Sequence, residues 1–81
     1  MNIIDVRSSY DYSISHIPTA INIPYNDFVI EKCRLPKNKT LILYCNRGGA
    51  SLILTRDLCK QGYNVKNVYG GINSYRGILE S

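Results

Sequence analysis

The chain has 81 residues, with ten Lys and Arg against six Asp and Glu, for a formal charge of +4. A chain of this length builds one hydrophobic core rather than two, and a hydrophobic share of 44% excludes general disorder. The basic residues are scattered apart from a loose cluster of Lys32, Arg34, Lys37 and Lys39, sparser than a usual nucleic-acid footprint, and the excess suits a small anionic substrate or an acidic partner at least as well.

In chain order, residues 2–6 read as a buried strand around Ile3-Ile4-Asp5-Val6. Ser8 or Ser9 caps a short helix that runs to Ile14. Pro18 disfavours helix at Ile17, so His16-Ile17-Pro18 is extended or turned. Ala20-Ile21-Asn22-Ile23 is a second short strand, ended by Pro24. Residues 25–31 are expected to be helical, with Asn26 or Asp27 near the start, and residues 34–39 form a loop. Thr40-Leu41-Ile42-Leu43-Tyr44 is continuously apolar after its first residue, as a central strand covered on both faces should be. Residues 45–49 form a glycine-containing loop. A helix over residues 50–61 follows, with Ala50, Leu54 and Leu58 on one inward row and Gly62 as its stop. Residues 65–69 are a last strand, Gly70-Gly71 a turn, and Asn73 the cap of a final helix to about Leu79. Four strands alternating with helices indicate an α/β fold on a mainly parallel sheet with right-handed crossovers. The small core places stability at the low end for a domain.

No apolar run reaches the ~20 residues of a membrane span, and the N-terminus lacks the basic and apolar regions of a signal peptide. Cys33, Cys45 and Cys59 are odd in number and contain no CxxC pair. A disulfide framework and a structural zinc site are both disfavoured, and a cytoplasmic protein with reduced thiols is expected.

Chemistry concentrates in Tyr44-Cys45-Asn46-Arg47-Gly48-Gly49-Ala50-Ser51. Cys45 follows a buried strand and comes a few residues before a helix, where ligands bind in open α/β sheets. A loop that opens a helix directs backbone N–H groups inward, and Gly48 and Gly49 let the chain curl tightly. Such a nest of donors favours negative charge and should lower the thiol pKa from its usual value of about 8.5. Arg47 adds a fixed positive charge. The thiolate is then a nucleophile whose anionic adducts are also held. The competing reading of Cys45 is an inert cysteine at the end of a core strand.

The chain resembles a single-domain rhodanese in three stretches. They are Ile3-Ile4-Asp5-Val6-Arg7 with Tyr12 and the run from His16 to Pro24; Leu43-Tyr44-Cys45 through Ser51; and Val68-Tyr69-Gly70-Gly71-Ile72 with Tyr75. The ordered set spans almost the whole chain, so residues 1–81 are expected to form one rhodanese-like domain. The resemblance implies a small, mainly parallel sheet of four to five strands with helices on both faces. It implies a sulfurtransferase in which Cys45 takes a sulfane sulfur and becomes a persulfide. A small anionic donor such as thiosulfate, or a persulfide, supplies the sulfur, and a thiol, a protein acceptor or cyanide removes it. Asn46, Arg47, Gly48, Gly49, Ala50 and Ser51 would bind the substrate. No metal, organic cofactor, nucleic acid or membrane is implied. A non-catalytic binding or sulfur-sensing module is the alternative. The sequence departs from the family pattern where Ala50 stands at the position of a usual Arg, Ser15 at that of a usual Gly, and Tyr75 at that of a frequent Trp. The sequence begins at the first of these stretches, without the family's customary N-terminal lead-in, and an uncovered sheet edge that invites oligomerisation or instability is expected. Phosphatases and arsenate reductases of similar architecture carry Arg six residues after the cysteine. Here that residue is Ser51, so bidentate oxyanion recognition is lost.

Outside the loop, Asp5 and Arg7 are read as an ion pair at a strand end rather than as substrate ligands. For the only histidine, His16, the resemblance implies a structural role, and an ionised thiol needs no separate base. Cys59, late in the helix over residues 50–61, is expected to be buried. Cys33, beside Lys32 and Arg34, is a less favoured resolving thiol, and the seven tyrosines serve packing rather than base stacking.

Overall fold

The computed structural model describes residues 2–28, 35–46, 49–68 and 70–81. Among them, β1 (Asn2–Asp5), β2 (Ile21–Asn22), β3 (Thr40–Tyr44) and β4 (Asn64–Asn67) form one parallel sheet in the order β2-β1-β3-β4. Helix α1 (Ser9–Ile14) joins β1 to β2, and α2 (Gly49–Lys60) joins β3 to β4. The strand order reverses between β1 and β3. Ligand crevices of open α/β sheets lie at such a switch point.

Strand alternation sends side chains to two cores. On one face Ile4, Val6, Leu41, Leu43, Cys45 and Val65 meet Leu54 and Leu58 of α2, with Phe28 and Tyr63 at the margins. On the other, Tyr44 packs with Ile17, Ala20, Tyr12 of α1, Ile72 and Tyr75. Helices therefore cover both faces. Leu41, Leu43 and Tyr44 are fully buried, as the unbroken apolar run of β3 requires. Burying a leucine contributes about 1.5–3 kcal/mol, so β3 is the strand on which both cores rest.

Several local expectations hold. Ser8 caps α1 by accepting the Asp11 N–H. Leu54 and Leu58 face inward with Ala50 packed alongside, and Gly62 ends α2 with φ of +93°. Others are corrected. Strand β2 has two residues rather than four, because Ala20 N–H turns back to Ile17 O. Residues Tyr25–Asp27 start where the helix over residues 25–31 is expected but form a 3-10 turn, and positions 29–31 of the expected helix lie outside the described residues. Strand β4 ends at Asn67 rather than Tyr69, which lies outside them too.

No helix follows Asn73. Gly71–Ser74 is a 3-10 turn, and Tyr75 is extended. The Asn73 N–H is drawn to Asn46 O, and the chain then returns to pair Glu80 with His16. Tertiary pairing overrides the local capping signal. Cys59 is exposed, not buried. One residue past the inward Leu58 on a 3.6-residue period turns a side chain about 100° away from the core. No helix among the described residues is long and apolar enough to cross a membrane.

Candidate functional site

Cys45 is the first residue beyond β3, at the carboxyl end of the sheet. It is 7% exposed and belongs to the core under α2. Residues 46–48 separate it from the first turn of α2. The helix thus presents its amide end, with its partial positive charge, to the loop that carries the sulfur.

Ser51, fully buried in that first turn, brings its Oγ to 3.4 Å from Cys45 Sγ and donates to it. The same oxygen contacts Oδ1 of Asn67 at the end of β4. Residue Leu43, two before the cysteine, is the register partner of Asn67, so parallel pairing places the serine, the asparagine and the sulfur at one end of the sheet. The neutral hydroxyl of Ser51 occupies the place where an oxyanion enzyme of similar architecture would have its Arg. Ala50 packs on the core, while Gly49 opens α2 and Asn46 is exposed. Arg47 and Gly48 lie outside the described residues, as does Cys33.

The loop backbone is held from the other side of the sheet. Ile72 N–H donates to Cys45 O at 2.8 Å, and Asn73 N–H donates to Asn46 O at 3.3 Å. Gly71 has φ of +61°, and a Cβ there would lie 2.2 Å from Cys45 O. Only glycine allows that approach. The Gly71–Ser74 turn is therefore clamped directly on the cysteine.

A second polar cluster sits below the loop on the opposite face. Arg7 grips Asp5 through Nε (3.0 Å to each carboxylate oxygen) and Nη2 (2.7 Å to Oδ2), and also donates to Ser15 O. Tyr44 donates to Asp5 Oδ2 at 2.8 Å and accepts the Ile17 N–H. Burial works against the charge on Arg7, but the Asp5 carboxylate outweighs it and raises the guanidinium pKa. Burial, reinforced by the bond to Asp5, pushes the Tyr44 phenol well above its ordinary range. Every charge in the cluster has a partner, which is the structural role expected of Asp5 and Arg7. His16 is likewise built into the frame: Nδ1–H donates to Tyr12 O at 2.8 Å, and the two rings stack at 3.8 Å. Its neighbours belong to the Tyr44 face, away from the sulfur.

Asn67 and Gly71 are the site residues that sequence reasoning missed. Asn67 follows Val65 by two, and thus shares the α2 face at the end of a strand. That pattern carried the signal once the strand order was known. Gly71 was legible as a turn but not as a contact.

A family model described as a Rhodanese-like domain matches residues 1–77. A tRNA sulfurtransferase from Desulfurococcus amylolyticus is 41% identical over 78 residues, covering 96% of this chain and 15% of that protein. A sulfurtransferase from Allochromatium vinosum is 31% identical over 71 residues, covering 86% of this chain and 66% of that protein. The chain thus spans less than two thirds of either relative. Among solved structures, a protein from Staphylococcus saprophyticus superposes with a TM-score of 0.92 at 32% identity, covering 99% of this chain and 81% of that one.

Proposed function

Because the chain belongs to the rhodanese-like domain family, we propose that residues 1–81 form one such domain and move sulfane sulfur through a persulfide on Cys45. The observation that carries this reading is a nearly buried thiol at the carboxyl end of β3, facing the start of α2 and accepting a hydrogen bond from Ser51. A thiolate there attacks the outer sulfur of a donor. With thiosulfate, the sulfur–sulfur bond breaks and sulfite leaves with the electron pair. The amides from Asn46 to Ser51 hold the resulting persulfide, and Arg47 supplies positive charge for an anionic donor. A thiol, a protein acceptor or cyanide then attacks the outer sulfur and returns Cys45 to the thiolate, a double displacement with ping-pong kinetics. Sulfur transfer is also the activity in the names of the two relatives.

Intact-protein mass spectrometry tests it. After thiosulfate or a persulfide donor, the protein gains one sulfur atom, and cyanide removes it. Cys45→Ser stays folded and gains none. Loading of that variant to the parent level rejects Cys45 as the carrier. A folded parent that loads from no donor points instead to a non-catalytic binding module.

A further inference from the structure

We propose that Gly71 is a positioning residue for sulfur transfer: by letting the last turn close on the Cys45 carbonyl, it directs the Asn46 N–H toward the side of the sulfur. The proposal rests on Cys45 as the sulfur carrier, and deepens that reading.

One peptide group sets the geometry. Ile72 N–H donates to Cys45 O at 2.8 Å, and Asn73 N–H donates to Asn46 O at 3.3 Å. The start of a helical turn leaves such N–H groups without partners inside it, and here both reach the loop that carries the sulfur. None of the described peptide bonds is cis. In a trans peptide the C=O and the following N–H point in opposite directions. Ile72 packs on the Tyr44 face, whereas Cys45 belongs to the core under α2. A Cys45 carbonyl drawn to the turn therefore sends the Asn46 N–H to the α2 side, where the sulfur lies. A donor fixed there favours the thiolate and an anionic persulfide over the neutral thiol.

Gly71 makes this approach possible. Its φ is +61°, and a Cβ there would overlap Cys45 O and the carbonyl of Asn46. A side chain pushes the turn off both carbonyls, and the peptide between Cys45 and Asn46 loses its fixed orientation. Among the described residues, the charged and titratable groups of the packed elements face solvent or each other. Lys66 of β4 is exposed and alternates to the opposite sheet face. Arg56, Asp57 and Lys60 of α2 are exposed, as are Tyr25 and Asp27 after β2. Asp5 and Arg7 of the β1 end are engaged with each other and Tyr44 on the far face. The Gly71–Ser74 turn holds no ionisable side chain. Arg47 is the charged residue nearest in sequence, and it is unchanged in every variant below.

Joining a synthetic peptide of residues 59–81 to residues 1–58 at Cys59 gives the full chain with single backbone atoms exchanged. An ester at Ile72 replaces only its N–H by an oxygen, which repels the Cys45 carbonyl. An ester at Tyr75 removes its N–H bond to Ile72 O, weakening the same turn without touching the loop. Iodoacetamide alkylation of Cys45 against pH, followed by peptide mass spectrometry, reads the thiolate. The Ile72 ester and Gly71→Ala each raise the Cys45 midpoint by about one pH unit, about tenfold in thiolate at a given pH. The Tyr75 ester stays within about twofold of the parent. Exposed Cys59 is the internal control, and its rate is unchanged in a folded variant. An unshifted midpoint in the folded Ile72 ester or Gly71→Ala, or an equal shift in the Tyr75 ester, overturns the proposal. Should both loop-side variants lose their fold, the parent decides. Its Asn46 amide proton resonance moves with the Cys45 midpoint, and in Cys45→Ser that step is gone; an Asn46 amide that ignores the ionisation overturns the proposal as well. Sulfur loading is measured on the same samples. A parent that loads, with an unshifted midpoint in the Ile72 ester, removes the positioning role and keeps the carrier; a shifted midpoint with a parent that loads from no donor does the reverse.

Discussion

Gly71 does the most with the fewest atoms. Its positive φ and its approach to Cys45 O leave no room for a side chain. Gly71→Ala adds backbone strain and a backbone clash, and destabilises the fold by about 2–4 kcal/mol. Urea unfolding checks this. A loss under about 0.5 kcal/mol, typical of an indifferent surface site, would mean that the turn lifts freely off the cysteine. Gly49 is the contrasting case. Its φ is not positive, and a Cβ would meet nothing within 4 Å. The tight curl expected there is not demanded by its backbone; α2 simply begins at that residue.

The connection between β1 and β3 depends on Tyr44. Its phenol joins Asp5 at the end of β1 to the Ile17 amide beyond α1. The same burial and bonding raise its folded pKa above the ordinary value of 10.0. A raised pKa contributes stability that is complete below the unfolded value and is lost as pH rises past it. Unfolding free energy therefore declines on the alkaline side of pH 10, and Tyr44→Phe, though less stable at neutral pH, shows a shallower alkaline decline. Phenolate absorbance gives the second check: Tyr44 ionises above the ordinary phenol range, and Tyr44→Phe removes that late step. Titration of Tyr44 in the ordinary phenol range would mean that the cluster opens readily.

Across the whole molecule, the C-terminal segment closes over the α1–β2 connection. Glu80 and His16 exchange backbone hydrogen bonds at 2.8 and 2.9 Å, and the Glu80 carboxylate accepts the Thr19 N–H. Thr19 carries φ of +71°, a costly conformation for a β-branched residue. The same carboxylate stands 3.6 Å from His16 Nε2. Glu80→Ala keeps the backbone bridge but loosens this corner. Global stability falls by about 1 kcal/mol or less. Hydrogen exchange quickens at His16 and Thr19, with the β3 amides unaffected. Equal quickening in β3 would show that the segment unfolds with the core rather than ahead of it.

What the amino-acid order determined on its own was local and periodic. Apolar runs marked β3 and the buried half of β1. A row with four-residue spacing, Ala50, Leu54 and Leu58, marked the inward face of α2. A cysteine between strand and helix marked the site, and the ordered resemblance identified the family. These signals are written into neighbouring residues, and burial merely confirms them. What only the tertiary structure decided depended on segments far apart in the chain. Asn67 meets Ser51 because β4 lies beside β3. Gly71 presses on Cys45 because the last turn crosses the sheet end. The expected helix after Asn73 is absent because Asn46 and His16 compete for that backbone, and Cys59 faces solvent because its angle on α2 is measured from the core. Propensity is a weak preference per residue. Hydrogen bonds and packing between distant segments decide the outcome wherever both act on the same backbone.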